Sequence, residues 1–142
     1  MSGKKQHIIS GIEIPKGDSR NDKIARKQII KNFYAHWISL NPGKRVWNQE
    51  LKSYIYIKGK SINETTGQAS TSYDSTKEVF RLSDILSHAT LIRKMPPKRD
   101  SINQKPYSEI LIMRHKSALL VVGKQKTTGE YVQYCVSAKI KK

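Results

Sequence analysis

Histidine is the side chain best matched to proton transfer near neutral pH, and this chain has four: His7, His36, His88 and His115. His115 is flanked by cations in Arg114-His115-Lys116, where a neighbouring positive charge can steady the charge that develops on a transferring phosphoryl group. His88 falls at the end of an apolar-periodic stretch and is read either as a second proton carrier or as a cap for that stretch. His36 lies beside Trp37 within a helical pattern and is read as structural. The histidines show no metal-ligand spacing, and a single cysteine, Cys135, cannot form an internal disulfide or a thiolate-rich zinc site. No metal and no cofactor are expected.

Phosphate-binding candidates are more numerous. The segment Arg93-Lys94-Met95-Pro96-Pro97-Lys98-Arg99 sets four cations in seven residues on a backbone stiffened by two prolines. Such a loop loses little freedom on meeting a polyanion. Lys94, Lys98 and Arg99, with Arg114 and Lys124, are the expected phosphate ligands. Residues 51–58 alternate so that Lys52, Tyr54, Tyr56 and Lys58 share one strand face, cations beside flat rings that suit single-stranded bases and backbone. Near the C-terminus Val132, Tyr134, Val136 and Ala138 alternate with Gln133, Cys135 and Ser137. Either set can face the helices; if the first set is open, Tyr134 is placed to orient a substrate.

These residues need elements to hold them. Residues 1–20 read as a flexible basic arm with one short strand, and 21–142 as a single domain. Asp22 is placed to cap a helix running to about Leu40. Within it Ile30, Phe33, Trp37 and Leu40 recur at three- and four-residue steps, Lys23, Lys27 and Lys31 line a neighbouring strip, and Asn41-Pro42-Gly43 stops it. Residues 59–74, rich in Gly, Ser, Thr and Asn, read as a loop. Ser75 and Glu78 have capping-box spacing before a helix that buries Val79, Leu82, Ile85, Leu86 and Ala89; a rival parse makes 79–82 a strand and starts a short helix at Ser83. Four strands follow, at 89–95, 107–114, 119–123 and 130–138, with connections too short for anything but antiparallel pairing. The expected class is α+β: N-terminal helices followed by a four-stranded antiparallel sheet.

Composition narrows the partner. Lys and Arg number 27 against 11 Asp and Glu, a formal net charge of +16 on 142 residues. That balance attracts polyanions, and nucleic acid is the commonest, with an acidic protein as the alternative partner. No run approaches the ~20 apolar residues of a membrane-spanning helix, and the first ten residues lack the apolar core of a secretory signal. A cytoplasmic protein is expected, without membrane partners.

The run Asp84-Ile-Leu-Ser-His-Ala-Thr-Leu-Ile-Arg, the basic proline loop, Tyr107-Ser-Glu-Ile-Leu-Ile-Met, Leu119-Leu-Val-Val-Gly-Lys and Gly129-Glu-Tyr-Val-Gln-Tyr-Cys-Val together resemble the phage and mobile-element nuclease domains grouped with barnase, EndoU, the colicin RNases and RelE. The resemblance covers residues 83–138. It implies helices before a four-stranded antiparallel sheet, RNA rather than DNA as substrate, and attack of the ribose 2′-hydroxyl on the adjacent phosphate without a metal. In that setting Lys94, Lys98 and Arg114 hold phosphate, His115 or His88 moves protons, and Tyr134 helps to orient the substrate. The same charge also fits a non-catalytic nucleic-acid-binding protein of a phage or mobile element. A cradle of cations over one side of the sheet is expected in either case.

Overall fold

The computed structural model of the chain describes residues 13–138. The expected N-terminal arm therefore lies mostly outside the described residues. Helix α1 spans Arg20–Leu40. Its cap is Ser19 rather than Asp22: the Ser19 Oγ accepts from the Asp22 amide at 3.0 Å, and Asp22 places its carboxylate in the positive first turn. Ile30, Phe33, Tyr34 and Trp37 are buried as the periodicity implies, whereas Leu40 lies beyond the core at 64% exposure. His36 faces solvent.

After α1 the chain makes a hairpin, β1 (Arg45–Asn48) and β2 (Ser53–Tyr56), and then α2 (Gly59–Ala69). Both β1 and α2 correct the sequence reading. Residues 59–69 look like a loop because Ser61, Thr65 and Thr66, all buried, replace the expected apolar stripe. Two of the three are paired internally: Gln133 Nε2 donates to Thr65 Oγ1 at 2.8 Å and to the Ser61 carbonyl at 3.4 Å, while the Tyr34 hydroxyl donates to Gln133 Oε1 at 2.6 Å; Thr66 Oγ1 is buried without a partner. The Tyr34–Gln133–Thr65 network takes the place of an apolar seam between α1, α2 and β6.

Two short helices follow, α3 (Tyr73–Val79) and α4 (Leu82–His88). Ser72, not Ser75, caps α3, accepting from the Ser75 amide at 3.1 Å. The expected single helix breaks at Phe80-Arg81, and the rival strand at 79–82 is not formed. All five residues expected to be buried here are buried.

The remaining strands are β3 (Thr90–Met95), β4 (Tyr107–His115), β5 (Ala118–Gln125) and β6 (Tyr131–Ala138), with a 3-10 turn at Ile102–Gln104. They form an antiparallel meander. The sheet nevertheless has six strands in the order β1-β2-β6-β5-β4-β3, because β2 adds in parallel to β6 through Ile55–Tyr131 and Tyr56–Val132. The architecture is α+β with a six-stranded mixed sheet, not a four-stranded antiparallel one.

Helical residues Ile30, Phe33, Tyr34, Trp37, Ala69, Val79, Leu82, Ile85 and Leu86 share one core with Ile55, Leu111, Met113, Leu120, Val122 and Val136 of the sheet. The other face has a smaller cluster made of strand residues alone: Tyr107, Ile110, Val132, Tyr134 and Cys135, with Tyr56, Ile112 and Val121 half-buried around them. The helices pack mainly on one face; on the other, Glu64 of α2 lies near Tyr107, Tyr134 and Cys135, while the β1–β2 hairpin end stays open. On that second face, the Tyr107 ring lies so close to Gly123 that a Cβ there would meet ring atoms at 2.6 Å. A bulge in β6 between Gln133 and Cys135 breaks the expected alternation, so Gln133 points to the helices and Tyr134 joins Cys135 in the smaller cluster.

The sheet also curls. Asn48 Nδ2 at the end of β1 donates to the Leu86 and Ala89 carbonyls at 2.8 and 3.1 Å, and Glu50 accepts from the Leu91 amide at the start of β3 at 2.6 Å. Since β1 and β3 are opposite edges, these bonds draw the two edges together beneath α4.

Candidate functional site

The end of α4 and the β4–β5 turn meet around one carboxylate. Asp84 and His88 are four residues apart on α4 and so share a face, and His115 ends β4 opposite them. Asp84 Oδ1 lies 3.1 Å from His88 Nδ1, and its Oδ2 lies 3.1 Å from His115 Nε2. The two imidazoles stack with centroids 5.6 Å apart and 29° between planes. His88 Nδ1 is further placed by Ser87 Oγ at 2.9 Å and the Asp84 carbonyl at 3.2 Å. These contacts leave Nε2 of His88 and Nδ1 of His115 for other partners. Partial burial works against ionisation of Asp84, but the His115 hydrogen bond and the charges of His115, His88 and Lys116 outweigh it and hold the carboxyl below the usual aspartate range.

The turn that presents His115 also presents Lys116, whose φ of 54° sets a tight corner, and Ser117. Ser117 Oγ donates to the buried carboxylate of Glu78 on α3, which also pairs with Arg81 at the α3–α4 elbow; Arg81 Nη2 reaches Ser117 Oγ at 3.1 Å. Lys77, Glu78, Phe80, Arg81 and Ser117 line a cleft of about 430 Å³ beside the histidine pair. The cleft brings together a carboxylate, a guanidinium and a hydroxyl, and Asp84 stands one turn of α4 beyond Arg81.

The sequence reading named His88 and His115 separately, and the fold unites them. It missed Asp84, Arg81 and Ser117 as site residues; the readable signal was the Asp84-to-His88 spacing of four. Two histidines and an aspartate are also metal-ligand types, yet among the described residues no group of three or more such side chains is arranged to hold a metal ion.

Tyr134 does not join this cluster. It is 6% exposed, packed edge-to-face on Tyr107 at 5.9 Å, and burial raises its phenol above the ordinary value, helped by the nearby Glu64 charge. It stands four positions along β6 from Ala138, which pairs with Ala118 beside His115, or about 13 Å of strand.

The expected phosphate ligands divide into three groups. Lys94, Lys98, Arg99, Arg114 and Lys52 are exposed. Lys124 lies 5.8 Å over the Tyr131 ring. Lys58 is engaged, pairing with Glu130 at 2.8 Å, and that bond in turn holds the Glu130 carboxyl low. Among the described residues Lys58 and Arg81 are the only lysine and arginine side chains in ion pairs, so the positive surplus is largely uncompensated. It is not gathered over one side: Lys23, Lys27 and Lys31 lie exposed on α1, Lys44 and Arg45 near one sheet edge, Arg93 to Arg99 at the other. The cleft, moreover, is at the helix elbow rather than over the sheet. The expected one-sided cradle is corrected on both counts.

The Tyr54–Tyr56 face is present and larger than the sequence indicated. Cross-strand pairing puts Trp47 opposite Tyr54 and Arg45 opposite Tyr56 on the uncovered face. Trp47 meets Tyr54 edge-to-face at 5.2 Å, and the Arg45 guanidinium lies over the Tyr54 ring at 3.9 Å.

Among the described residues no helix is long and apolar enough to cross a membrane. No protein-family model matches the chain, and no curated protein or solved structure matches it either.

Proposed function

We propose that this protein binds nucleic acid, RNA in preference to DNA, and cleaves RNA by attack of the 2′-hydroxyl on the adjacent phosphate. The observation that supports cleavage is the sharing of one carboxylate by His88 and His115. Transesterification of a ribose phosphate needs one group to take the 2′ proton and another to give a proton to the departing 5′ oxygen. Two imidazoles on a common aspartate meet that need, since Asp84 fixes the orientation of both rings. Negative charge gathers on the phosphate as the new O–P bond forms. Lys116, whose charge acts on Asp84, and Arg81, which lines the cleft, are cations available to offset it. The 2′-hydroxyl selects RNA, because DNA has no internal nucleophile. Helices preceding the antiparallel meander agree with the resemblance to phage and mobile-element nuclease domains, and +16 of charge accounts for binding irrespective of sequence.

The test is product analysis. Labelled RNA incubated with the purified protein in chelator is expected to yield cyclic-phosphate ends. His115→Ala and His88→Ala should each lower turnover by at least about 100-fold, a typical contribution for a positioned acid or base, while leaving RNA binding intact. Tight binding without cleavage across varied RNAs would replace this reading with that of a non-catalytic nucleic-acid-binding protein. Failure to bind RNA or DNA at low salt would point to an acidic protein partner.

A further inference from the structure

The uncovered sheet face has a use that the histidine pair does not explain. Large aromatic side chains normally seek cover, yet Trp47, on the edge strand β1, is 48% exposed. Its partner tryptophan shows the contrast: Trp37 is 5% exposed and its Nε1 donates to Ser83 Oγ at 2.8 Å. Trp47 is also held firmly. Tyr54 supports it at 82°, Arg45 covers Tyr54, and Tyr56 follows at 6.4 Å with its hydroxyl 3.5 Å from Arg45 Nη1. Four side chains on two short strands thus lock one another before any ligand arrives, which lowers the ordering cost of binding.

We infer that Trp47, with Arg45 and Tyr56 beside it, is a stacking platform for unpaired bases, so that the nucleic acid taken by this protein is single-stranded. The inference rests on the nucleic-acid reading above and adds the substrate class to it. An exposed indole face has most to gain from a flat, polarisable partner, and a base presents its face only when it is unpaired. A guanidinium anchored by a tyrosine ring and a hydroxyl keeps its outer N–H groups for phosphate. Charge complementarity is what selects a nucleic acid for this face: Arg45 has no carboxylate partner among the described residues, and Arg114 and Arg93 lie exposed on the same face, opposite Leu119 and Ile112 in the register.

Because Trp37 is buried, Trp47 is the tryptophan open to contact quenching, and intrinsic fluorescence reports on it directly. The intact protein is titrated at low salt with a 2′-O-methyl oligouridylate, which cannot be cleaved, and with a duplex of the same length. The expected result is tighter binding of the single strand by anisotropy, with quenching of the exposed tryptophan by the single strand alone. Trp47→Ala should weaken single-strand binding by about 5- to 100-fold and leave duplex binding unchanged, Trp47→Phe should weaken it less, and both should keep the Trp37 environment and melting temperature of the wild type. Binding of the single strand without quenching, or equal affinity of wild type and Trp47→Ala, would overturn the platform. Quenching and selectivity without any cleavage of ordinary RNA would leave the platform standing and remove the nuclease reading instead. No binding of either probe would remove both and favour a protein ligand.

Discussion

At the residue scale, Asp84 is the hinge of the proposed chemistry and has a signature independent of catalysis. Its carboxyl titrates lower in the folded chain than in the unfolded one, because the His115 hydrogen bond and the charges of His115, His88 and Lys116 exceed the opposing effect of partial burial. A group whose folded value is depressed contributes stability that is present above the unfolded value and lost as pH falls through the folded one. The wild type should therefore lose stability on acidification below pH about 4, the ordinary aspartate value, more steeply than Asp84→Asn. The two melting-temperature curves are expected to converge at low pH and to separate toward neutrality, with the wild type above. Parallel curves would show that the carboxylate is not bound to the histidines in solution. The side chain is half exposed, so the separation will be modest and will shrink with added salt. Cys135 behaves in the opposite sense: burial, with the nearby Glu64 charge, pushes its thiol up to about 12, consistent with a packing role between β6 and α2 and no role in the chemistry.

At the element scale, the principal question is what fixes α1 against the remainder of the chain. Arg26 is fully buried and has no acidic partner among the described residues. Its Nε donates to the Ser70 carbonyl at 2.8 Å, and Nη1 donates to the Pro15 and Gly17 carbonyls at 2.8 and 2.7 Å. Nη2 is buried without a partner. The cost of burying the charge opposes the benefit of three charge-assisted bonds, and removal alone leaves the buried Ser70 carbonyl without a donor. Arg26→Met is expected to cost about 1–3 kcal/mol by thermal or urea unfolding and to open residues 15–18 to proteolysis before the domain unfolds. A raised melting temperature would mean that charge burial dominates.

Which elements could be read in advance follows from the same physics. The helix at 20–40 and the four C-terminal strands display period 3.6 or continuous apolar runs, and these are where the sequence reading agrees with the structure. Helix α2 was hidden because its buried face is Ser61, Thr65 and Thr66, and the partner of Ser61 and Thr65, Gln133, is 72 and 68 residues distant. Strand β1 was hidden because Trp47, on its open face, gives no apolar alternation over only four residues. For the site, charge and histidine identity were visible, but the convergence of α4 with the β4–β5 turn depends on sheet curl, which no local pattern encodes.

At the scale of the whole molecule, the uncompensated charge has a consequence that can be measured without knowing the site. Exposed cations lie on α1, on both edges of the sheet and in the basic loop, and only Lys58 and Arg81 are ion-paired among the described lysines and arginines. Charge distributed in this way attracts any polyanion at low salt, so weak binding by itself distinguishes little. The dependence on salt is more informative. A single strand laid across the uncovered face near Arg45, Arg93 and Arg114 would neutralise about three to five phosphates, giving a slope of log affinity against log salt between about −2 and −4. Arg45→Ala should reduce that slope by somewhat less than one unit if its guanidinium meets a phosphate, whereas Lys27→Ala on the outer strip of α1 should leave it unchanged. Equal effects of the two substitutions would mean that the surplus acts as a diffuse field rather than through a docking face. The melting temperature of Lys27→Ala should match the wild type, and that of Arg45→Ala should fall only slightly, since the ring contact it loses is an exposed one.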